Sequence, residues 1–320
     1  MIPQHQPQPR QPLQSMSQPT RRRVLQLGGA FSVAGLIAAC SPGGNIPSST
    51  PPSGSSAGTP TPTGGVPGID EPEGPGEWRT VWEDAFDTGL LDESVWTPAD
   101  YGGNRDLGEL HHNDPSMVEV AGGNLVLHAA RKSRDGYPYI AGQVSTKDKL
   151  TVGPYGRLTT RQLIGPGHGL GVGVCLYGAD IDAVGWPACG EIDATEVAVA
   201  RSEQPFGSLH GPGYSGSAPL SATWSGEPLV DRWAEHVLEW EPGRLSWAID
   251  GEIYHTAESA DPRATGGWPF DQPFFITIVM TVGSHLSGPV NESTWPQDSS
   301  GAAVDPYFAV DFIRFEQRRT

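Results

Sequence analysis

The chain has 320 residues, 37 acidic against 20 basic, for a formal net charge of −17. That balance argues against nucleic acid or an anionic surface as partner and suits a neutral polymer. Glycine (42) and proline (31) are abundant, partly because of one biased stretch near the N-terminus, and no internal repeat is evident.

In chain order, the first signal is Thr20-Arg21-Arg22-Arg23-Val24-Leu25-Gln26, which resembles a twin-arginine export signal. The apolar stretch Val24–Ala39 that follows is too short and glycine-rich for a stable membrane-spanning helix. It ends at Leu36-Ile37-Ala38-Ala39-Cys40, which resembles a bacterial lipoprotein signal cleaved before Cys40, with lipid on its sulfur. Residues 1–39 are therefore expected to be a removed signal peptide. Their loss takes four Arg and no acids, leaving 16 basic against 37 acidic residues, a formal −21. Multiple acyl chains on one cysteine exceed the marginal anchoring of a single chain. From Ser41 to Glu77, 28 of 37 residues are Pro, Gly, Ser or Thr, with no aromatics. Such a segment buries too little apolar surface to order itself, so residues 40–77 read as a flexible tether. The chain is expected to sit lipid-anchored on the outer face of a bacterial membrane, as a monomer.

Residues 78–317 suit one all-β domain. No segment sustains a helical period, while short β-rich runs bounded by Gly or Pro recur at 124–129, 170–177, 191–199, 235–240, 245–249, 274–282 and 308–315. Glu241-Pro242-Gly243 joins two of them, and Asp250-Gly251 reads as a two-residue hairpin turn. Many short strands with such turns imply a sandwich or jelly roll. Cys175 and Cys189 lie in consecutive segments; a disulfide between them and two buried thiols are both compatible with that spacing.

The densest chemistry is Gly190-Glu191-Ile192-Asp193-Ala194-Thr195-Glu196, directly after Trp186-Pro187-Ala188-Cys189. Strict alternation puts Glu191 and Asp193 on one strand face and Glu196 on the other. One bulged residue at Ala194–Thr195 returns Glu196 to the face of the other two acids. The two glutamates are then about four strand steps of ~3.3 Å apart, ~13 Å between Cα atoms. Inward-leaning side chains leave about 5–6 Å between carboxyls, against the ~5–5.5 Å that a retaining glycosidase needs. Like charges on one face repel, so a fold gains nothing by clustering them without a use. Three such groups cannot all ionise cheaply, so one holds a proton for donation.

The run Gly185–Glu196 resembles the catalytic strand of glycoside hydrolase family 16, in its bulged, laminarinase-like form that cleaves β-1,3-glucans. Trp82-Glu83-Asp84-Ala85-Phe86-Asp87, Gly123-Asn124-Leu125-Val126-Leu127, Tyr155-Gly156-Arg157 with Arg161, Leu209-His210-Gly211-Pro212, His236–Trp240 with Ile249-Asp250-Gly251, Phe270–Phe274 and Val310–Arg314 resemble further family segments in family order. The resemblance implies a β-jelly-roll sandwich whose concave sheet forms the substrate cleft. It implies Glu191 as nucleophile, Glu196 as general acid/base, and Asp193 as the group that tunes Glu191. It further implies Trp186 as a stacking wall, and His210, Arg161 and Glu109 as cleft residues; Trp224 is a candidate for another sugar-stacking side chain, its side of the fold left open by the sequence. No cofactor is required for this chemistry; a structural calcium at Asp311, with the Gly122 carbonyl, is a family feature, although position 85, often acidic in the family, is Ala85 here.

The chain also departs from that pattern. Leu170-Gly171-Val172-Gly173-Val174-Cys175-Leu176 stands where relatives carry an aromatic-rich strand, so Leu170 and Val174 are expected to leave the cleft short of sugar platforms. Thr159, Thr195 and Val279 replace a Glu, an apolar residue and an Asn. The expected activity is retaining endo-hydrolysis of β-1,3- or mixed β-1,3/1,4-glucan. Two alternatives stay open: a transglycosylase remodelling a wall or capsule polysaccharide, and a weakly active glucan-binding lipoprotein.

Overall fold

The computed structural model describes residues 76–318. The export signal, Cys40 and nearly all of the tether lie outside the described residues. The described part holds β1 (Trp78–Asp84), β2 (Thr97–Pro98), β3 (Tyr101–Gly102), β4 (His111–Asn113), β5 (Val118–Ala121), β6 (Asn124–Ala130), β7 (Tyr139–Ala141), β8 (Gln143–Ser145) and β9 (Gly156–Ile164). It continues with β10 (Leu170–Gly178), β11 (Glu191–Ala198), β12 (Phe206–His210), β13 (Leu220–Thr223), β14 (Trp233–Glu241), β15 (Arg244–Ile249), β16 (Glu252–Glu258), β17 (Phe274–Val282) and β18 (Tyr307–Arg318). One four-residue α-turn, α1 (Ile181–Val184), interrupts them.

These strands form two sheets. One runs β13-β12-β11-β10-β17-β8-β2, and the other follows β16-β15-β14-β9-β18-β6-β7-β4-β3, with β1 beside β18 and β5 beside β6. This is the all-β jelly-roll sandwich that the sequence predicts, and all seven strands read from it are present. The second sheet alternates: in β6 Leu125, Leu127 and Ala129 are buried while their neighbours are half-exposed. Every residue of β10, β11, β12 and β17 is buried; β10 and β17 accordingly read as nearly continuous apolar runs, while β11 and β12 bury the acids, Ser208 and His210 among apolar residues. The core between the sheets takes Leu170, Val172, Val174 and Leu176 from β10, and Ile276, Ile278, Met280 and Val282 from β17. At the β15–β16 turn both Asp250 (φ 48°) and Gly251 (φ 82°) are left-handed, as a two-residue Asp-Gly hairpin requires.

Register overturns one expectation and settles one open alternative. Leu170 and Val174 point into the core, so neither stands on the cleft floor. Their alternate neighbours Gly171, Gly173 and Cys175 pair with Ala198, Glu196 and Asp193 and share the face of the acids. Cys189 is a free, buried thiol, so the pairing of Cys175 with Cys189 does not form. Cys175 sits opposite Asp193 and Gly178 bonds Gly190, which sets the two cysteines about four strand steps, ~13 Å, apart along the ladder. A disulfide needs Cα atoms within about 7 Å.

The bulge in β11 is held from the core side. Against β10, Cys175 pairs with Asp193 and Val174 with Thr195, so Ala194 is the extra residue. The ladder with β12 skips at the same place, from Asp193↔Ser208 to Glu196↔Phe206. Trp247 on β15 donates its indole N–H to the Asp193 carbonyl at 2.8 Å. Gln162 on β9 reaches across to the Thr195 hydroxyl at 3.2 Å, which gives that inward-facing polar residue a partner. Trp247→Phe removes the indole N–H and part of a fully buried ring, orphaning the carbonyl and leaving a void; urea denaturation is expected to show a loss of at least about 1–3 kcal/mol.

Candidate active site

With Ala194 absorbed by the bulge, Glu191, Asp193 and Glu196 share one face of β11, opposite Tyr177, Cys175 and Gly173 of β10. All three carboxylates are buried. Glu191 Oε2 accepts the Trp186 indole N–H at 2.7 Å. Trp186 lies on the loop after α1, is 39% exposed, and its ring centroid is 6.0 Å from that of His210. Asp193 accepts the Ser208 hydroxyl, and His210 Nε2 lies 3.2 Å from the same oxygen, off the line of a hydrogen bond. Ser208 and His210 are the β12 partners of Asp193 and Glu191, so register alone brings them to the acids.

The electrostatics follow from this crowding. Burial first, and then the charge of Asp193, push the Glu191 carboxyl up to about 8 from its ordinary 4.5, while His210, Tyr177 and Trp186 favour its charged form. Burial alone lowers His210, but its contact with Asp193 and the charge of Glu191 outweigh it and raise the imidazole. This end of β11 thus sets two acids beside one imidazole whose protonated form they favour.

The other expected site residues are dispersed. Glu109 lies on the loop before β4, which docks on the end of β17 through Leu110 N–H to Val282 C=O. Its carboxylate accepts the Asn104 N–H, and burial raises it to about 7. Arg161 is not in the cleft. Its neighbour Gln162 points between the sheets to Thr195, so alternation sends Arg161 to the opposite, outer face. There it pairs with Asp311 at 2.7 Å and lies 4.7 Å over the Trp233 ring. Trp224 offers no face to a sugar: it is 6% exposed, packed in the core, and its indole N–H bonds Glu252.

The calcium pair fares no better. The Asp311 carboxylate carries Arg161, and the Gly122 carbonyl accepts the Asn124 amide at 3.0 Å. Calcium takes six to eight oxygens, and no cluster of three or more acidic, His or Cys ligands exists among the described residues. These groups do not fit the ion.

Sequence reading missed Tyr177 and Ser208, which touch Glu191 and Asp193 respectively. Ser208 stands two positions before His210, and that strand period was the available signal. Beyond β10 the sheet continues over β17 and β8 to β2, where a cavity of about 260 Å³ is lined by Thr97, Tyr101, Gln143, Ser145, Phe275 and Thr277, among others.

A raised carboxyl means that the folded state binds the proton more tightly than the unfolded chain. The folded domain therefore loses stability as pH rises from 4.5 to about 8 at this group. Glu191→Gln removes that cost. Its melting temperature is expected to exceed wild type at pH 8, with the gain vanishing below pH 4.5, as measured by calorimetry across the range.

Comparison with known proteins agrees with this geometry. The chain is 28% identical to the beta-glucanase of Rhodothermus marinus over 261 residues, 77% of this chain and 88% of that protein. It is 26% identical over 269 residues to glucan endo-1,3-beta-glucosidase A1 of Niallia circulans, covering 73% of this chain but only 37% of that longer protein. The laminarinase catalytic domain of Thermotoga maritima superposes with a TM-score of 0.70 at 27% identity, over 76% of this chain and all of that domain. The model of glycosyl hydrolases family 16 matches residues 110–300, over the strands that carry the three acids, and the chain belongs to that family.

Proposed function

We propose that the chain is a retaining endo-β-glucanase acting on β-1,3- or mixed β-1,3/1,4-glucan. The observation that carries this reading is the bulge that turns Glu191, Asp193 and Glu196 onto one face of β11. The names of its relatives, a beta-glucanase and a glucan endo-1,3-beta-glucosidase, support the substrate class.

In this reading the Glu191 carboxylate attacks the anomeric carbon as the glycosidic bond breaks, and Glu196 gives its proton to the departing oxygen. Glu196 then takes a proton from water, whose oxygen attacks the same carbon and frees Glu191. Asp193, held by the Ser208 hydroxyl of β12, tunes Glu191 through its charge. Trp186 has a double role: its N–H fixes Glu191 while its half-exposed ring offers a sugar face. The floor, extending to the hollow at β2, suits a chain lying across the sheet and cut internally.

Glu191→Gln is expected to keep polysaccharide binding and lose hydrolysis of laminarin and lichenan to below a tenth of wild type, because an amide does not attack the anomeric carbon. Glu196→Ala is expected to regain turnover with azide on activated aryl glucosides. The product expected is the β-glycosyl azide; an α-azide by NMR overturns retention.

The same reading takes residues 1–39 as a twin-arginine signal, Cys40 as the lipid anchor and residues 40–77 as the tether of the catalytic domain at 78–317. Cys40→Ser is expected to move the protein from the membrane fraction to the medium, and Lys at positions 21 and 22 to block export. Unchanged fractionation of the cysteine variant removes the lipid anchor.

A further inference from the structure

On the cleft-facing side of β10 the side chains run Gly171, Gly173, Cys175 and Tyr177. Three are small; the fourth is a tyrosine directly opposite Glu191. Its ring packs against Phe275, the β17 residue opposite it on the other side, with centroids 5.6 Å apart and 31° between planes. It belongs to a small buried cluster with Cys175, Ile181, Cys189 and Val279. A ring wedged in this way and 1% exposed is not a sugar platform. What it presents toward the acids is its hydroxyl, which reaches Glu191 as a hydrogen-bond partner.

We propose that Tyr177 is a positioning residue for Glu191, its phenol and the Trp186 indole holding the carboxylate from two different elements. This rests on the reading of Glu191 as nucleophile. The constraint is geometric. Glu191 begins β11, where the chain has just left the Cys189-Gly190 turn, and a long side chain there swings freely unless tied. Trp186 ties it from the loop, and Tyr177 ties it from the neighbouring strand, whose register is fixed by nine pairs to β17.

The hydroxyl is also a dependable donor. Burial, and then the charges of Glu191 and Asp193, hold it well above the ordinary phenol range, so it keeps its proton at any working pH. Around Glu191 the other ionisable groups are Asp193 on its own strand, His210 from β12, Cys189 in the preceding loop and, further along β11, Glu196. Among these only His210 brings positive charge. Two neutral donors therefore join His210 in favouring the charged form of Glu191 against burial and the charge of Asp193, and Tyr177 is one of them.

Tyr177→Phe keeps the ring against Phe275 and deletes only the donor. With ¹³C-labelled glutamate carboxyls, and Glu191 assigned by its disappearance in Glu191→Gln, the Glu191 titration is expected to move up by about one pH unit. The acid limb of kcat/KM is expected to move with it, lowering kcat about tenfold on that limb and leaving KM within twofold. Titration curves that superpose in the two proteins overturn the proposal, whatever the variant's activity. A shifted titration with an unmoved acid limb upholds the Tyr177–Glu191 bond and instead removes Glu191 from the nucleophile's role.

Discussion

One surplus residue in β11 decides what this protein is able to do. Without Ala194 as an insert, Glu196 points into the core, where an unpaired carboxyl is prohibitively costly. With it, three acids face the same way. The insert is not left to itself: Trp247 donates to the Asp193 carbonyl and Gln162 meets the Thr195 hydroxyl, both from the opposite sheet. A bulge disrupts ladder hydrogen bonds and needs partners from elsewhere. Here they come through the core, which couples the outer sheet to the geometry of the cleft. Gly207 belongs to the same arrangement, since a Cβ there meets the Trp247 ring at 2.4 Å.

The second constraint is charge. Glu191 beside Asp193 in a buried setting is a standing cost to stability, visible in the raised carboxyl and in the raised imidazole of His210. Proteins keep such strain at sites of use and offset it elsewhere. The offset here is local and polar: the Trp186 indole and Tyr177 phenol on Glu191, the Ser208 hydroxyl and His210 on Asp193. Each donor arrives from an element paired with β11 or from the loop that precedes it, so forming the sheet also assembles the site. Little of the site depends on long, independently mobile side chains.

Where one strand's own pattern carried the information, the sequence was legible. The seven predicted strands, the Asp250-Gly251 turn and the bulge all follow from spacing and turn chemistry within a short window. What failed required knowing which face of a strand meets which sheet. Arg161 looked like a cleft residue from its motif, yet Gln162 beside it must reach inward, which sends Arg161 outward to Asp311 and Trp233. Leu170 and Val174 drew attention because they replace aromatics, but the ladder with β17 puts them in the core. Trp224 was ambiguous for the same reason, since a tryptophan near a strand end reads alike whether it packs or stacks. Tyr177 went unnoticed because its importance exists only across the β10–β11 pairing.

The corrected register changes what the departures from the family pattern mean. Leu170 and Val174 are core residues of this chain, so their identity bears on packing between the sheets. The floor beside the acids is Gly171, Gly173 and Cys175, flanked by Thr277, Val279 and Thr281 of β17. These neighbours of the acids are themselves buried, so in the proposed reading grip on a polymer comes from the edges: Trp186 on the loop at one end of β11, and the hollow at β8 and β2 across the sheet. In that reading, alignment of the scissile bond falls to the groups around Glu191. The position of Glu191 then matters more than any single sugar contact, which is the physical sense of holding one carboxylate from a loop by Trp186 and from a neighbouring strand by Tyr177 at once.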